Sequence, residues 1–339
     1  MTQCSLPASA AGVAVEPVVS RAAVPAGAEP PGPGMGVVRP GREVGITDAL
    51  GGLFGEIGIV VLAALTQLGD VWFLSALAGG LYLASTRPGN PLARRRGAFV
   101  LALPIVYVVT VQALKGVFML PRPPDAGVAA AIPWLPSLLA PVYENAATAE
   151  GYGFPSGHAL GTTLVWGGVA LVTGCRTRVV RLAVAAAAVV AVSFSRLALG
   201  VHYLVDVVVG ATIGAVLLLG LYRLADRGTD PGRALLVAVT IGLVGVLNQV
   251  SFDSVAALGG AAGAWLAWYA LVDREPATPR TPAMAAVSVA TLGLAGVVLL
   301  ALYLSVPPTP VTAIGSTVAA AAIVAAPDIG QRVVAAAGS

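Results

Sequence analysis

The chain has only two histidines, and each lies in a short stretch that also carries other groups able to do chemistry. In SRLALGVHYLVD, residues 195–206, His202 and Asp206 are four residues apart, a spacing that places both on one face of a helix. The carboxylate can then hold one ring nitrogen, fix the tautomer and leave the other nitrogen free to attack an electrophile. Because a carboxylate at the edge of a membrane helix is costly unless paired, the spacing favours a functional pair.

The second histidine, His158, ends the sequence FPSGH, residues 154–158, where an apolar segment begins. An imidazole arriving from a different helix can donate a proton to a departing oxygen. The Ser156 hydroxyl and the backbone N–H groups around Gly157 are candidate hydrogen-bond donors, because the N-terminus of a helix offers unpaired N–H groups and a favourable dipole. This stretch therefore predicts a general acid beside an anion-binding helix start.

Three cations accompany these groups at the ends of apolar segments: Lys115 and Arg122 in KGVFMLPRP, residues 115–123, and Arg196 in the stretch that contains His202. A tetrahedral phosphate dianion needs such cations and donors around its oxygens. The set predicts a phosphate site whose nucleophile is His202 and whose acid is His158. No spacing of histidine, cysteine or carboxylate residues suggests a metal, and no cofactor is implied.

The three stretches match the patterns K-x6-R-P, P-S-G-H and S-R-x5-H-x3-D, and in this the chain resembles the type 2 phosphatidic acid phosphatase family. The resemblance implies that His202 forms a phosphohistidine, that His158 is the general acid and that Asp206 orients the nucleophile. It also implies metal-free binding of the phosphate by Lys115, Arg122, Ser156 and Arg196. Related sites bind vanadate in haloperoxidases, but those relatives are soluble, and the hydrophobic segments of this chain argue against that chemistry.

The composition predicts that these groups are carried by membrane helices. Of the 339 residues, 57% are hydrophobic and 10% are charged, whereas soluble domains have about 25% charged residues. The net charge of +3 comes from basic residues scattered singly between apolar segments, a pattern that indicates membrane orientation and excludes nucleic acid as a partner. Membrane lipids, and a lipid phosphate or pyrophosphate as substrate, are the expected partners.

Apolar segments follow one another along the chain and predict an all-α polytopic membrane bundle. We expect ten crossings, with approximate limits 51–69, 71–86, 97–115, 158–175, 179–196, 202–222, 234–252, 254–272, 282–306 and 310–327. Glu56 interrupts the first segment and Asp70 separates it from the second, so the alternative for these two is a hairpin that does not span, against which the sorting of basic residues argues. Residues 1–46, rich in Ala, Val, Pro and Gly, are predicted to be a disordered cytoplasmic tail. The resemblance implies a six-helix core over residues 47–228, and about four further helices of unknown role occupy residues 229–339.

The basic residues predict which end of the bundle faces the cytoplasm, because cytoplasmic loops collect Lys and Arg. With ten crossings, sixteen of the nineteen basic residues fall on the side of the N-terminus. The other three are Lys115, Arg122 and Arg196, the cations of the predicted site. We therefore expect a cell-membrane protein with a cytoplasmic N-terminus and an extracytoplasmic active site.

Residues 127–153 join the first two motifs and form a longer connection than is usual in compact proteins. Their apolar part, Ile132, Trp134, Leu135, Leu138 and Leu139, is too short and too interrupted by proline to span a membrane. One hypothesis is that the segment lies at the outer surface and guides a lipid head group to His202. The alternative is a loop that covers the outer ends of the helices.

The predicted function is an integral membrane phosphatase that hydrolyses a lipid phosphate or pyrophosphate through a phosphohistidine. A phosphotransferase, in which an alcohol accepts the phosphoryl group, is the alternative with the same residues. A non-enzymatic lipid transporter or scaffold is kept open by the four additional helices, although the intact acid, nucleophile and orienting carboxylate speak against it. The sequence does not select the lipid or the oligomeric state.

Overall fold

In the computed structural model of this chain, the structure describes residues 42, 45–50, 52–86, 89–90, 92–272 and 281–337. This part of the chain is helical and contains no strand. The helices are α1 (Ile46–Leu50), α2 (Glu56–Thr66), α3 (Val71–Ser85), α4 (Arg94–Phe118), α5 (Ala140–Ala147), α6 (Gly157–Val172), α7 (Arg178–Ala198), α8 (Leu204–Leu224), α9 (Pro231–Asn248), α10 (Phe252–Ala267), α11 (Pro282–Ser305) and α12 (Thr309–Ala337). A 3₁₀ turn, Gln67–Gly69, separates α2 from α3, and a π-helical turn, Trp268–Val272, follows α10.

Long apolar helices confirm the prediction of an all-α polytopic bundle. Seven helices of the described part are long and apolar enough to cross a membrane, namely α4, α7, α8, α9, α10 with its π turn, α11 and α12. The apolar α6 is shorter, with 16 residues. These eight helices correspond to the last eight predicted segments within a few residues at most ends; α12 differs most, because it continues past Pro327 to Ala337.

The first two predicted crossings are not two separate spans, and that prediction is wrong. Both ends of α2 contact the last turn of α7: the rings of Phe54 and Phe194 are 5.9 Å apart, and Arg196 donates to the Thr66 hydroxyl at 3.2 Å. With 11 residues, α2 is about 16 Å long, too short to cross the hydrocarbon core. It therefore lies along one end of the bundle.

The helix that runs along the bundle is α3, which meets α2 at a bend of 48°. Its N-cap, Asp70, lies near His158, whereas Ser85 at its other end packs against Gly97 in the first turn of α4. The pair α2–α3 counts at most as one broken span. One crossing, where the sequence predicted two, therefore precedes α4.

This difference reverses the predicted position of the described residues Arg42 and Thr47 along the bundle. Arg42 donates to Asp206, and the Thr47 hydroxyl donates to the backbone carbonyl of His202. Both therefore lie at the end of the bundle that holds the predicted site, and not at the opposite end as expected. Residues 1–46 were predicted to be disordered. Except for Arg42, Gly45 and Ile46, these residues lie outside the described part.

Glycines allow the helices that carry the site to approach closely. The spacing of Gly210 and Gly214 predicts helix packing, and the structure confirms it. A Cβ on Gly210 would lie 2.5 Å from the Ser156 carbonyl oxygen, and one on Gly214 would lie 2.7 Å from that of Leu160. This contact of α8 with α6 brings the Ser156 amide to 2.9 Å from the Asp206 carbonyl oxygen. The start of α6 is thus held against the start of α8.

The helices after α8 pack against the rest of the bundle by similar contacts. Gly259 and Gly263 of α10 were expected to be packing residues, and a Cβ on Gly263 would collide with the Thr317 carbonyl oxygen of α12 at 2.0 Å. Away from the predicted site, the buried Asp328 of α12 forms an ion pair with Arg94 of α4. This pair lies at the end of α4 opposite to Lys115.

Candidate active site

The His202–Asp206 pair is built by the connection from α7 to α8. His202 lies between the two helices, and Asp206 lies in the first turn of α8, with its Oδ2 3.4 Å from His202 Nδ1 and accepting from the Tyr203 amide at 3.1 Å. The His202 and Asp206 side chains are 2% and 0% exposed. This burial holds the ring in one orientation. The sequence predicted that the two side chains share one helix face, but His202 precedes α8, so the contact forms across the N-terminus of that helix.

Arg122 supplies the other contact of the His202 ring. Its Nη1 lies 3.0 Å from His202 Nε2 and also donates to the Val201 carbonyl oxygen at 3.0 Å. Because a guanidinium can only donate, Nε2 is the acceptor, so the ring proton is on Nδ1 and faces Asp206. Burial lowers the pKa of Arg122 to about 10, so the group stays cationic at neutral pH.

The surroundings keep the His202 ring neutral. Burial, followed by the positive charges of Arg122, Arg196 and Lys115, holds the pKa of His202 well below its usual range. A neutral ring with its proton on Nδ1 has a lone pair on Nε2, which is the form that a nucleophile requires.

The remaining predicted phosphate ligands gather around the same point. Arg196 is 2% exposed and donates to the Ala146 carbonyl oxygen at 3.0 Å, while its buried Nε has no hydrogen-bond partner among the described groups. Lys115, in the last turn of α4, belongs to the same cluster of positive charges around His202. Arg196 thus has an N–H group in reserve for an anion.

The start of α6 supplies the neutral donors. Ser156 is fully buried and caps the helix by accepting from the Ala159 amide at 3.5 Å, which leaves its hydroxyl proton free to be donated. A Cβ on Gly157 would lie 3.4 Å from the Tyr107 hydroxyl, so the backbone there is closely covered by α4.

His158, the predicted acid, contacts a residue that the motif analysis did not include. Its Nε2 lies 3.8 Å from Oδ2 of Asp70, and the two side chains are 20% and 23% exposed. In the sequence, Asp70 lies between the predicted segments 51–69 and 71–86. A single acidic residue between two apolar segments is the feature of the sequence that could have identified Asp70 as a site residue.

Arg42 is the second residue that the sequence analysis missed. Its Nη2 donates to Asp206 Oδ1 at 2.7 Å, its Nη1 donates to the Pro121 carbonyl oxygen at 3.1 Å, and its guanidinium lies 4.9 Å from the centre of the Tyr203 ring. The oxygen of Asp206 that does not face His202 is therefore occupied by a cation. The sequence offers no local signal for this contact.

The connection over residues 127–153 contains the short helix α5 and divides its apolar side chains between two environments. Ile132 and Leu135 pack in a small cluster with α2 and α5. Three others are exposed: Trp134 by 51%, Leu138 by 85% and Leu139 by 48%. The segment thus both packs on the bundle and presents an apolar surface. Ile132 and Leu135 fit the hypothesis of a covering loop, whereas Trp134, Leu138 and Leu139 fit the hypothesis of a lipid guide.

Comparison with known proteins gives one match. Residues 97–230 match the family model of the PAP2 superfamily. This part of the chain belongs to that superfamily. No curated protein and no solved structure shows significant similarity to the chain. The match includes all three motifs and α4 to α8, but it begins after α1, α2 and α3, so Arg42 and Asp70 lie outside it.

Membership of the PAP2 superfamily agrees with the resemblance found in the sequence and indicates phosphatase-type activity in a multi-pass helical protein. Within the described residues, no group of three or more His, Cys, Asp or Glu side chains could hold a metal ion.

Proposed function

We propose that this PAP2-superfamily protein hydrolyses a lipid phosphate or pyrophosphate through a phosphohistidine formed on His202. The observation that carries the proposal is the state of the His202 ring: Nδ1 faces Asp206 at 3.4 Å, and Nε2 faces Arg122 at 3.0 Å. The ring is neutral, oriented and surrounded by cations that can hold a dianion. A lipid suits the site because the helices that carry it are apolar.

In the first step, the phosphate replaces His202 as the partner of Arg122. Its oxygens accept hydrogen bonds from Arg122, Lys115 and Arg196, with the Ser156 hydroxyl and the N–H groups at the start of α6 as neutral donors. The Nε2 lone pair of His202 then attacks phosphorus, and the bond to the leaving oxygen breaks. His158 gives its proton to that oxygen, while Asp206 stabilises the positive charge that develops on the His202 ring.

In the second step, a water molecule attacks phosphorus and gives its proton to His158, which is now neutral. The P–N bond breaks, its electron pair returns to His202, and inorganic phosphate leaves. The charges of the protein are then the same as before the reaction. No metal ion takes part in this sequence of steps.

We also propose that the site faces the outside of the cell membrane. Basic residues of α4, of the α8–α9 connection and of α9 lie at the other end of the bundle: Arg95 donates to the Thr229 carbonyl oxygen and Arg233 to that of Leu224. Loops rich in arginine are typical of the cytoplasmic side. Among the residues that the structure describes, the cations at the site end are the ones assigned to phosphate or, for Arg42, to Asp206.

Phosphate release by the purified full-length protein tests the function. The substrates are an isoprenyl pyrophosphate, phosphatidate and phosphatidylglycerol phosphate, each with EDTA and each with His202→Ala as a control. We expect release from at least one lipid by the wild-type protein, insensitivity to EDTA and loss of release in His202→Ala. Near-normal release by His202→Ala would exclude the mechanism. Product analysis with an added alcohol distinguishes transfer from hydrolysis, and absence of both activities would favour a transporter or scaffold.

Cysteine labelling tests the sidedness. Cys175 is exposed between α6 and α7, at the end of the bundle opposite to the site. In a Cys4→Ser background, Cys175 should be protected from a membrane-impermeant maleimide in intact cells. In a background with both cysteines replaced by serine, Glu144→Cys should be labelled. Labelling of Cys175 together with protection of residue 144 would reverse the proposed orientation.

A further inference from the structure

We infer that Asp70 is a positioning residue for the acid His158, so that the site contains two histidine–carboxylate pairs built from different parts of the chain. The inference rests on the phosphatase function proposed above, because it gives Asp70 a part in proton transfer. Asp70 precedes the stretch that matches the PAP2 superfamily and belongs to none of the three motifs.

The carboxylate of Asp70 is oriented by its own helix. Its Oδ1 accepts from the Trp72 amide at 3.2 Å and so caps α3, which turns the other oxygen, Oδ2, toward Nε2 of His158 at 3.8 Å. The Trp72 indole in turn donates to Gln67 Oε1 at 2.8 Å. These contacts orient the Asp70 side chain through residues on both sides of the bend between α2 and α3: Gln67 before the bend and Trp72 after it.

Tight packing determines where this bend lies. The Trp166 indole of α6 donates to the Leu68 carbonyl oxygen at 3.0 Å. A Cβ on Gly69 would lie 2.5 Å from Thr162 Oγ1 and 2.6 Å from Val192 Cγ1, so the turn before Asp70 fits closely against α6 and α7. Asp70 and His158 are thus placed by the same helix, α6, and their separation does not depend on a surface loop.

The charges around His158 explain why a carboxylate is useful there. Protonation of the ring is opposed by burial and then by three cations: Arg196 of α7, Lys115 of α4 and Arg122 of the following connection. The ring of His202 also lies nearby, and Asp206 is engaged with His202 and Arg42. Asp70 is the carboxylate that faces His158 within the described residues. It offsets the cations and favours the imidazolium that a general acid needs.

The contact also indicates which proton is transferred. Because Asp70 faces Nε2, the proton on Nδ1 is the one available to the leaving oxygen when the P–O bond breaks and its electron pair moves to that oxygen. His158 is then neutral and keeps its proton on Nε2, toward Asp70. In the second step Nδ1 takes a proton from the attacking water, which restores the imidazolium beside the carboxylate.

Asp70→Asn tests the inference, because asparagine can cap α3 as aspartate does and removes only the charge. We expect kcat for an alkyl phosphate to fall about tenfold to a hundredfold, at or below the lower limit of the effect of losing a general acid, because His158 itself is retained. For p-nitrophenyl phosphate, whose leaving group needs little protonation, we expect a change of at most about twofold for the same reason. Asp70→Glu should recover part of the lost rate.

A double-mutant cycle with His158→Ala separates positioning from structure. In the His158→Ala background, Asp70→Asn should cause no further loss with either substrate. Asp230→Asn, at the N-cap of α9 and remote from the site, is the matched control and should leave both rates unchanged. If Asp70→Asn does not fold, Asp70→Ser, which can also cap a helix, replaces it.

The outcomes distinguish this inference from the proposed function. Equal losses for both substrates, or an equal loss in the His158→Ala background, would show that Asp70 only supports the fold and would overturn its positioning role alone. If the wild-type protein releases no phosphate from any substrate, the proposed function fails and the role of Asp70 fails with it.

Discussion

The two histidines of the site each face a carboxylate, but the two pairs are built and exposed differently. His202 and Asp206 lie four residues apart and are almost completely buried, whereas His158 and Asp70 come from different helices and are about one fifth exposed. On the proposed mechanism this difference suits the two roles. A nucleophile gains from a fixed, water-free orientation, while an acid that donates and regains a proton in each turnover needs access to water.

The pairs also differ in their charge partners. Asp206 is shared between His202 and Arg42, whereas the second oxygen of Asp70 accepts from a backbone amide. Asp206 also accepts from a backbone amide, that of Tyr203, at the start of a helix, so the contact with the cation Arg42 is what distinguishes the carboxylate of the nucleophile from that of the acid. Variants that affect one pair and not the other can test whether this difference matters.

The largest effect is expected from Asp206→Asn, which removes the charge that orients the nucleophile. We expect kcat to fall about a thousandfold or more, as for the orienting aspartate of a serine-protease triad. Unlike Asp70→Asn, this variant should lose activity equally with alkyl and p-nitrophenyl phosphates, because formation of the phosphohistidine itself is impaired. A loss confined to the alkyl phosphate would assign Asp206 to acid catalysis and contradict the comparison.

Arg42→Ala should have the next largest effect. Hydrogen bonds to charged groups contribute about 1.5 kcal/mol or more, so the loss of the contact with Asp206 should lower kcat/KM by about tenfold, following the same principle. Arg42→Lys, which keeps the charge, should lose less, and Arg233→Ala at the other end of the bundle should be unchanged. An increase in activity in Arg42→Ala would instead mean that Arg42 restrains the site.

The pH dependence should reflect the buried pair. Because burial and three cations lower the pKa of His202, the ring stays neutral as the pH falls, and protonation inactivates it only well below the ordinary histidine pKa of about 6.5. With p-nitrophenyl phosphate, Arg122→Gln removes one cation, raises the pKa of His202 and should move the acidic limb of kcat/KM to higher pH relative to the wild-type protein. An unchanged limb in this variant would indicate that His202 is not the titrating group.

The smallest effect is expected outside both pairs, in the exposed apolar residues of the 127–153 connection. If they guide a lipid toward the site, replacing Trp134, Leu138 and Leu139 by serine should raise KM for a long-chain substrate severalfold and spare p-nitrophenyl phosphate. Val297 and Leu300 of α11 are similarly exposed and serve as the control. Parallel losses with both substrates would assign the segment to packing.

Local sequence predicted where most helices form, but it did not predict which of them cross the membrane. Apolar length predicted α4 and the helices from α6 to α12, because every backbone group in a bilayer must be paired within its own helix. It did not predict α5, which lies in the 127–153 connection. The run at residues 51–69 met the same criterion, yet α2 lies along the end of the bundle, where it contacts Phe194 and Arg196 of α7. Whether a short apolar helix crosses or lies flat depends on what it packs against.

The sequence by itself determined the residues of the motifs, including His202 and Asp206. It did not determine how this pair forms, because a spacing of four residues predicts a shared helix face, whereas His202 lies before α8. Only the tertiary structure decided that Asp70 faces His158 and that Arg42 reaches Asp206. The residues of these contacts are separated by 88 and 164 positions. Contacts over such distances depend on how α3 and the segment before α1 pack, and no periodicity or local propensity in the chain specifies that packing.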